Sequence, residues 1–309
     1  MDEQGPLRLA VVGNATSVRQ LARRSGEFSS FRVTSECAAD DGDLSAVEDW
    51  LDGEPTAVAD AVCFLDEEVN SVALAKQSIA AGLHVWCAGP LTAEADALES
   101  VAAQAAAANV TLVCGGAAGY TGGVRLAADA LTSGALGRLV CLRSLQLGSD
   151  PHARWPLAEQ LALANSLADD MVATVYAQSA GKRHLSVSLS YVGGATALLA
   201  LGAAPGTPPV SELMVLGNRG AFYDTMAATA LVMLPAGEGA SGAYQEEDAG
   251  PALARWADRC AQAAAGSADP PVSVEQAREV LELMKHIEQV VERGEPVVVR
   301  DVEEDEDDE

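Results

Sequence analysis

Residues 7–24 read LRLAVVGNATSVRQLARR, and the order of their chemistry sets the class of the first domain. Leu7 to Gly13 form an apolar run of the kind that is buried on both faces of a parallel sheet. Gly13 ends the run and the small polar stretch NATS follows. The next residues, VRQLARRSG, have helical spacing, with Arg23 and Arg24 at the end where the helix dipole favours cations. Working outward, the same grammar repeats. FRVTSECAADD predicts a second strand ending in carboxylates, AVEDWLDG a short helix, and VADAVCFL a strand. EEVNSVALAKQSIAAG predicts a helix, HVWCA a strand, TAEADALESVAAQAAAAN a helix opening at an N-cap Thr92, and VTLVCGG a strand. Alternating strands and helices of this length give a parallel sheet covered by helices.

The pattern changes after Gly119. A helix over about 121–133, the strand RLVCLRSLQLG, a long helical region over 155–178 and the strand RHLSVSLSYV follow. In that last strand His184, Ser186, Ser188 and Ser190 share one face, and Leu185, Val187, Leu189 and Tyr191 the other. VSELMVLGNRGAFYDT predicts a strand, a turn and a strand. SVEQAREVLELMKHIEQVVERG predicts a helix opened by a Ser273/Gln276 capping box and closed by Gly294. The expected fold class is α/β plus α+β: a Rossmann-like, doubly wound parallel sheet at the N-terminus and a mostly antiparallel sheet with helices at the C-terminus. The expected boundaries are 1–118 for the first domain and 119–299 for the second. Residues 300–309 form an acidic tail that buries no surface and is expected to be disordered.

Composition narrows the partners. The chain has 309 residues, 49% of them hydrophobic, enough for two cores. The formal net charge is −26, and without the tail the body remains strongly acidic, which argues against nucleic acid and anionic membranes as partners. Sixteen arginines against three lysines fit a GC-rich genome or a salt-adapted cytoplasm. The six cysteines contain no C-x-x-C pair, as expected of reduced cytoplasmic thiols, and no metal site is expected. No basic leader precedes the first strand, and the apolar run ATALLALGAA is too short for a membrane span.

Five phrases, LRLAVVG, SIAAGLHVWCAGPLT, LTSGALGRLVCLRS, LMVLGNRGAFYDT and VEQAREVLELMKHIEQVVERGEPVVV, occur in an order that resembles the glucose-fructose oxidoreductase and inositol dehydrogenase family (Gfo/Idh/MocA). The resemblance implies NAD or NADP on the first domain, and a sugar, polyol or related small molecule held against the second. It also implies self-association through the open face of the second domain's sheet. On the phosphate turn the candidate residues are Gly13, Asn14, Ala15, Thr16 and Ser17, where only the first glycine of G-x-G-x-x-G is kept and Val18 stands at the third. Asp40 or Asp41 stands where the resemblance puts a ribose-binding acid. Asp66 and Glu67, followed by Glu68, stand where the family has a Thr-Pro turn, and there they either cap the next helix or disfavour a diphosphate.

The family's Glu-Lys-Pro is held by Ala88, Gly89 and Pro90, so the proton-transferring lysine is missing. The family's aspartate and histidine on the second-domain helix align with Ala162 and Ser166, with Asp169 a further match. Cys87 and Cys114 are expected to be core thiols rather than nucleophiles, having no base placed beside them. The chain is then either a non-catalytic homologue with a ligand-binding, regulatory or scaffold role, or an NAD(P)-dependent oxidoreductase with unconventional catalytic residues. A third arrangement is a subunit that acts beside a paralogue with complete motifs.

Overall fold

The computed structural model describes residues 5–38, 45–67, 71–148, 150, 153–203, 210–225, 231–233, 240–242 and 249–300. Asp40, Asp41, Glu68 and the acidic stretch 301–309 lie outside the described residues.

The chain divides into two compact units, and the first comprises 1–121 together with 247–281. Its core is a five-stranded parallel sheet in the order β2-β1-β3-β4-β5, built from β1 (Leu7–Gly13), β2 (Phe31–Ala38), β3 (Ala61–Phe64), β4 (His84–Cys87) and β5 (Leu112–Cys114). The three central strands are buried at nearly every position, whereas β2 at the edge alternates buried and exposed residues, as an edge strand covered on one face should. The helices between the strands are α1 (Ala15–Arg24), α2 (Ser45–Asp52), α3 (Pro55–Val58), α4 (Val72–Ala80) and α5 (Ala95–Ala107). An ion pair of 2.6 Å between Arg8 and Asp60 clamps the start of β1 to the start of β3. The order β2-β1-β3 means that the chain reverses its direction of travel across the sheet at β1. The crevice between the carboxyl ends of β1 and β3 is therefore the switch point, where doubly wound sheets take ligands.

The second unit comprises 122–246 and 282–309. It contains α6 (Gly122–Thr132), β6 (Leu139–Leu147), α7 (Arg154–Ala168), β7 (Val172–Ala180), β8 (His184–Tyr191), β9 (Thr196–Gly202), β10 (Val210–Gly217) and β11 (Ala221–Thr225), with the short hairpin β12 (Leu231–Met233) and β13 (Ala240–Gly242). Its seven-stranded sheet has the order β11-β10-β6-β9-β8-β7-β14, where β14 is Val297–Val298, and every pair is antiparallel except β6 with β9. Inward positions of β8 (Leu185, Val187, Leu189, Tyr191) are buried, and the alternate serines form the outer face, as the period-two pattern predicts.

Several expectations are corrected. The helical region 155–178 is instead α7 followed by β7. Asp169 adopts the left-handed conformation that stops the helix (φ 47°), and VATVYAQSA, rich in residues that suit a pleated surface, turns to strand. The run ATALLALGAA, to which the sequence alone assigns no element, supplies β9, an interior strand whose inward residues are buried. The domain division also differs. α8 (Ala249–Ala264) belongs to the first unit, where Trp256 and Cys260 are fully buried and Trp256 Nε1 donates to Gly115 O at 3.1 Å. The boundary of the units then falls within α9 (Val274–Arg293). That helix carries the expected capping box in both directions, Ser273 N to Gln276 Oε1 at 2.9 Å and Gln276 N to Ser273 Oγ at 3.2 Å, and it ends at Gly294 with φ 74°. Thr92 is not the cap of α5. Its Oγ1 accepts from Glu94 N, and Glu94 itself is the N-cap residue. Arg300, assigned by sequence to the tail, still donates its backbone N–H to Ala173 O at the sheet edge.

Candidate functional site: the turn between β1 and α1

β1 delivers the chain to Gly13 at the switch point, and β3 delivers Leu65 and Asp66 beside it, with Leu65 N donating to Val12 O at 2.9 Å. The Asp66 carboxylate bends into the turn. Its Oδ2 accepts from Asn14 N and its Oδ1 from Asn14 Nδ2, each at 2.5 Å. Gly13 makes this approach sterically feasible, because a Cβ there would collide with Asp66 Oδ2 and lie 3.0 Å from Leu65 Cβ.

Asn14 completes the closure. As the N-cap of α1 its Oδ1 accepts from Thr16 N at 3.0 Å and from Ser17 N at 2.9 Å, while its carbonyl accepts from Val18 N at 3.1 Å. These N–H groups are the donors that a phosphate at a helix N-terminus uses. Here the Asn14 amide binds two of them, and a carboxylate lies directly behind. The arrangement suits the dipole of α1, which is favoured by a negative group at its N-terminus. Val18, 2% exposed, packs α1 on the sheet where the third glycine of the fingerprint would stand.

The adjacent strand end has no acid or base to offer. Ala88, 1% exposed, donates its backbone N–H to Phe64 O at 2.9 Å; Gly89 is buried, and Pro90 is half-buried. Cys87 lies directly across from Cys114 in the strand register. Its thiol pKa is pushed up by a hydrogen bond with Cys114 and by burial, so it stays protonated and unreactive. Burial likewise raises the thiols of Cys63 and Cys260. Among the described residues no group of three or more His, Cys, Asp or Glu side chains could hold a metal ion.

No protein-family model and no curated protein matches the chain. Solved structures do match it along almost its whole length. An oxidoreductase from Agrobacterium radiobacter in complex with NAD+, L-tartaric acid and magnesium superposes with a TM-score of 0.77 at 15% identity, covering 94% of this chain and 98% of the other. An aldose-aldose oxidoreductase from Caulobacter crescentus complexed with glycerol gives 0.76 at 17% identity, covering 95% and 100%. A myo-inositol 2-dehydrogenase from Lactobacillus plantarum gives 0.74 at 15%, covering 96% and 100%. The fold is that of these oxidoreductases.

Within that fold, Gly13, Asn14, Thr16, Ser17 and Asp66 come together at the switch point, with Ala15 on the first turn of α1 and Glu67 exposed beyond Asp66. Ala88, Gly89 and Pro90 follow the neighbouring β4. Ala162, Ser166 and Asp169 belong to the second unit and do not converge on a polar cluster. Ala162 is half-buried and Ser166 exposed, and Asp169 is the exposed C-cap of α7, its N–H bonded to Asn165 O. The polar residues that α7 does bury are Glu159 and Gln160, each 8% exposed, which motif matching passed over. Gln160 Oε1 accepts from Ser144 Oγ, and its Nε2 donates to Gln146 Oε1 at 3.3 Å, tying the helix to β6. The signal was a Glu-Gln pair inside the otherwise apolar PLAEQLALA. No helix among the described residues is long and apolar enough to cross a membrane.

Proposed function

We propose that this protein is a non-catalytic homologue built on an oxidoreductase fold, serving as a ligand-binding, regulatory or scaffold protein. The observation that carries this is the Asp66 carboxylate bound to Asn14 at the switch point, where a dinucleotide pyrophosphate would have to sit. A phosphate placed there would face a like charge at close range, unfavourable by about 1 kcal/mol even with water-like screening and several-fold more in a partly dry crevice. It would also find Thr16 N and Ser17 N already bonded to Asn14. Two further features support the reading. Ala88 and Gly89 have no group that can transfer a proton, and the buried thiols nearby are held in the protonated form. Six free cysteines fit a reducing, cytoplasmic setting. Association of two or more copies through the open face of the second unit's sheet, or with a paralogue carrying complete motifs, belongs to the same proposal.

The experiment is a titration of the purified protein with NADH and NADPH, followed by nicotinamide fluorescence and thermal shift. The expected outcome is no saturable binding and no rise in Tm up to millimolar cofactor. A micromolar dissociation constant would raise the apparent stability measurably and overturn the proposal. It would favour an NAD(P)-dependent oxidoreductase acting on a small polyhydroxylated molecule, the reading supported by the likeness to the NAD+-bound Agrobacterium structure.

A further inference from the structure

The open face of the seven-stranded sheet carries a hollow of about 220 Å³, and the strand register explains it. One row across β6, β9, β8 and β7 reads Arg143, Leu198, Ser188, Tyr176, and the row beside it on β9, β8 and β7 reads Ala200, Ser186, Gln178. At about 4.8 Å per strand the backbones of Arg143 and Tyr176 stand roughly 14 Å apart. Long side chains therefore mark the two ends, and the short ones of Ser186, Ser188 and Ala200 lie between them. This face points away from α7, which packs on the other side of β6 through Gln160 and the buried Ser144.

The charge at the hollow has one sign. Its lining includes one guanidinium, that of Arg143, and no carboxylate, in a chain with 45 acidic side chains against 19 basic ones. Arg143 is in none of the ion pairs among the described residues, which are Arg8–Asp60, Arg24–Glu27 and Arg278–Glu99. Glu212, on the neighbouring β10, has its carboxylate bonded to the Tyr223 hydroxyl. At the far end of the row Gln178 Nε2 donates to Tyr176 Oη, so that oxygen serves as the acceptor and the Tyr176 O–H is left to donate. The hydroxyls of Ser186 and Ser188 supply further donors and acceptors along the floor, and Leu198, 47% exposed, supplies its apolar part.

We infer that this hollow binds a small hydroxylated monocarboxylate, with the carboxylate on the Arg143 guanidinium and the hydroxyls on Tyr176, Gln178 and the two serines. Three physical terms select that class. The guanidinium fork matches a carboxylate through two parallel hydrogen bonds. The volume lies under the roughly 300 Å³ at which sites for drug-sized ligands begin, so the ligand is small. The field of a chain at −26 opposes each further negative charge, which favours a monoanion over a phosphate dianion. The inference rests on the ligand-binding part of the function proposed above and gives that part a place and a chemistry, while the switch-point turn takes no part in it.

The test is a calorimetric titration of the full-length protein, at fixed ionic strength, with gluconate, with its uncharged counterpart glucitol and with inorganic phosphate. Gluconate is expected to bind with a Kd on the order of 1 mM or tighter, as suits a small ligand in an open site, and glucitol and phosphate at least about tenfold more weakly. Arg143→Gln is expected to weaken gluconate binding by about tenfold or more. Ser188→Leu, which fills the hollow and leaves the charge unchanged, is expected to abolish it. Circular dichroism and Tm show whether each variant is folded, and either one suffices if the other is not. Sedimentation of the same samples reports whether copies associate over this face, and gluconate affinity that falls as they do supports the site, because ligand and copy then compete. No saturable gluconate binding, phosphate binding as tight as that of gluconate, or gluconate binding that a folded variant retains in full overturns the inference. Each of these results leaves the reading of the switch-point turn standing, since that reading falls only on binding of NADH or NADPH.

Discussion

Gly13 and Asp66 act as a pair. The glycine stands where the resemblance expects a phosphate-binding turn, and what it accommodates is the chain's own carboxylate. The coupling is measurable. Gly13→Ala forces a Cβ against Asp66 Oδ2 and should destabilise the protein by about 1–3 kcal/mol in urea unfolding, the usual cost of overpacking. Asp66→Ala loses two hydrogen bonds from a half-exposed carboxylate and should cost about 1 kcal/mol. Since the more severe of the two contacts, that with Asp66 Oδ2, is removed in the double variant while that with Leu65 Cβ stays, the double variant should cost about 1 kcal/mol less than the sum. Additive costs would mean that Asp66 does not occupy the turn. Sequence showed that Asp66 stands at the end of a strand, but left its role between helix capping and a cofactor-facing charge. That it holds Asn14, the N-cap residue of α1, rather than capping α4 depends on the register of β1 beside β3, which brings positions 13 and 66 together from far apart in the chain. The N-terminus of α4 is capped by Ser71, whose Oγ accepts from Leu74 N.

Among the elements, the parallel strands were the most legible, because burial on both faces leaves a continuous apolar run that few other structures require. Elements whose sequence suits more than one period were harder. ATALLALGAA has no regular polar alternation, since β9 lies between β6 and β8 with one face towards α7 and Leu198 on the other. The junction of β4 and β5 supplies a pH-dependent prediction. Thr111 N donates to His84 Nδ1 at 2.9 Å, which requires that nitrogen to be unprotonated. Burial lowers the His84 pKa below its ordinary 6.5, with Asp60 opposing the shift in part. The unfolded chain therefore takes up the proton first as pH falls. The contribution to stability is fully present above pH 6.5 and is lost as pH falls through 6.5 towards the lower folded value. Urea midpoints measured from pH 7.5 downward should fall more steeply for the wild type than for His84→Gln, and parallel curves would show that His84 does not carry the dependence.

For the whole molecule, 45 acidic side chains against 19 basic ones make self-repulsion a general term that exposed ion pairs such as Arg24–Glu27 and Arg278–Glu99 do little to offset. Raising sodium chloride from about 0.1 M to about 1 M shortens the screening length from roughly 10 Å to roughly 3 Å, and the thermal midpoint should rise by several degrees. A falling midpoint would mean that attractive surface pairs dominate instead. The amino-acid sequence by itself determined the two-part architecture, the acidity and the absence of ionisable side chains at Ala88 and Gly89, because hydrophobic period, composition and side-chain chemistry are local properties. Only the tertiary structure decided that α8 joins the first unit and that Asp66 fills the switch-point turn. Each of these depends on which distant segments lie side by side. Strand register and the space left by a missing Cβ decide that, and neither is written in any one stretch of the chain.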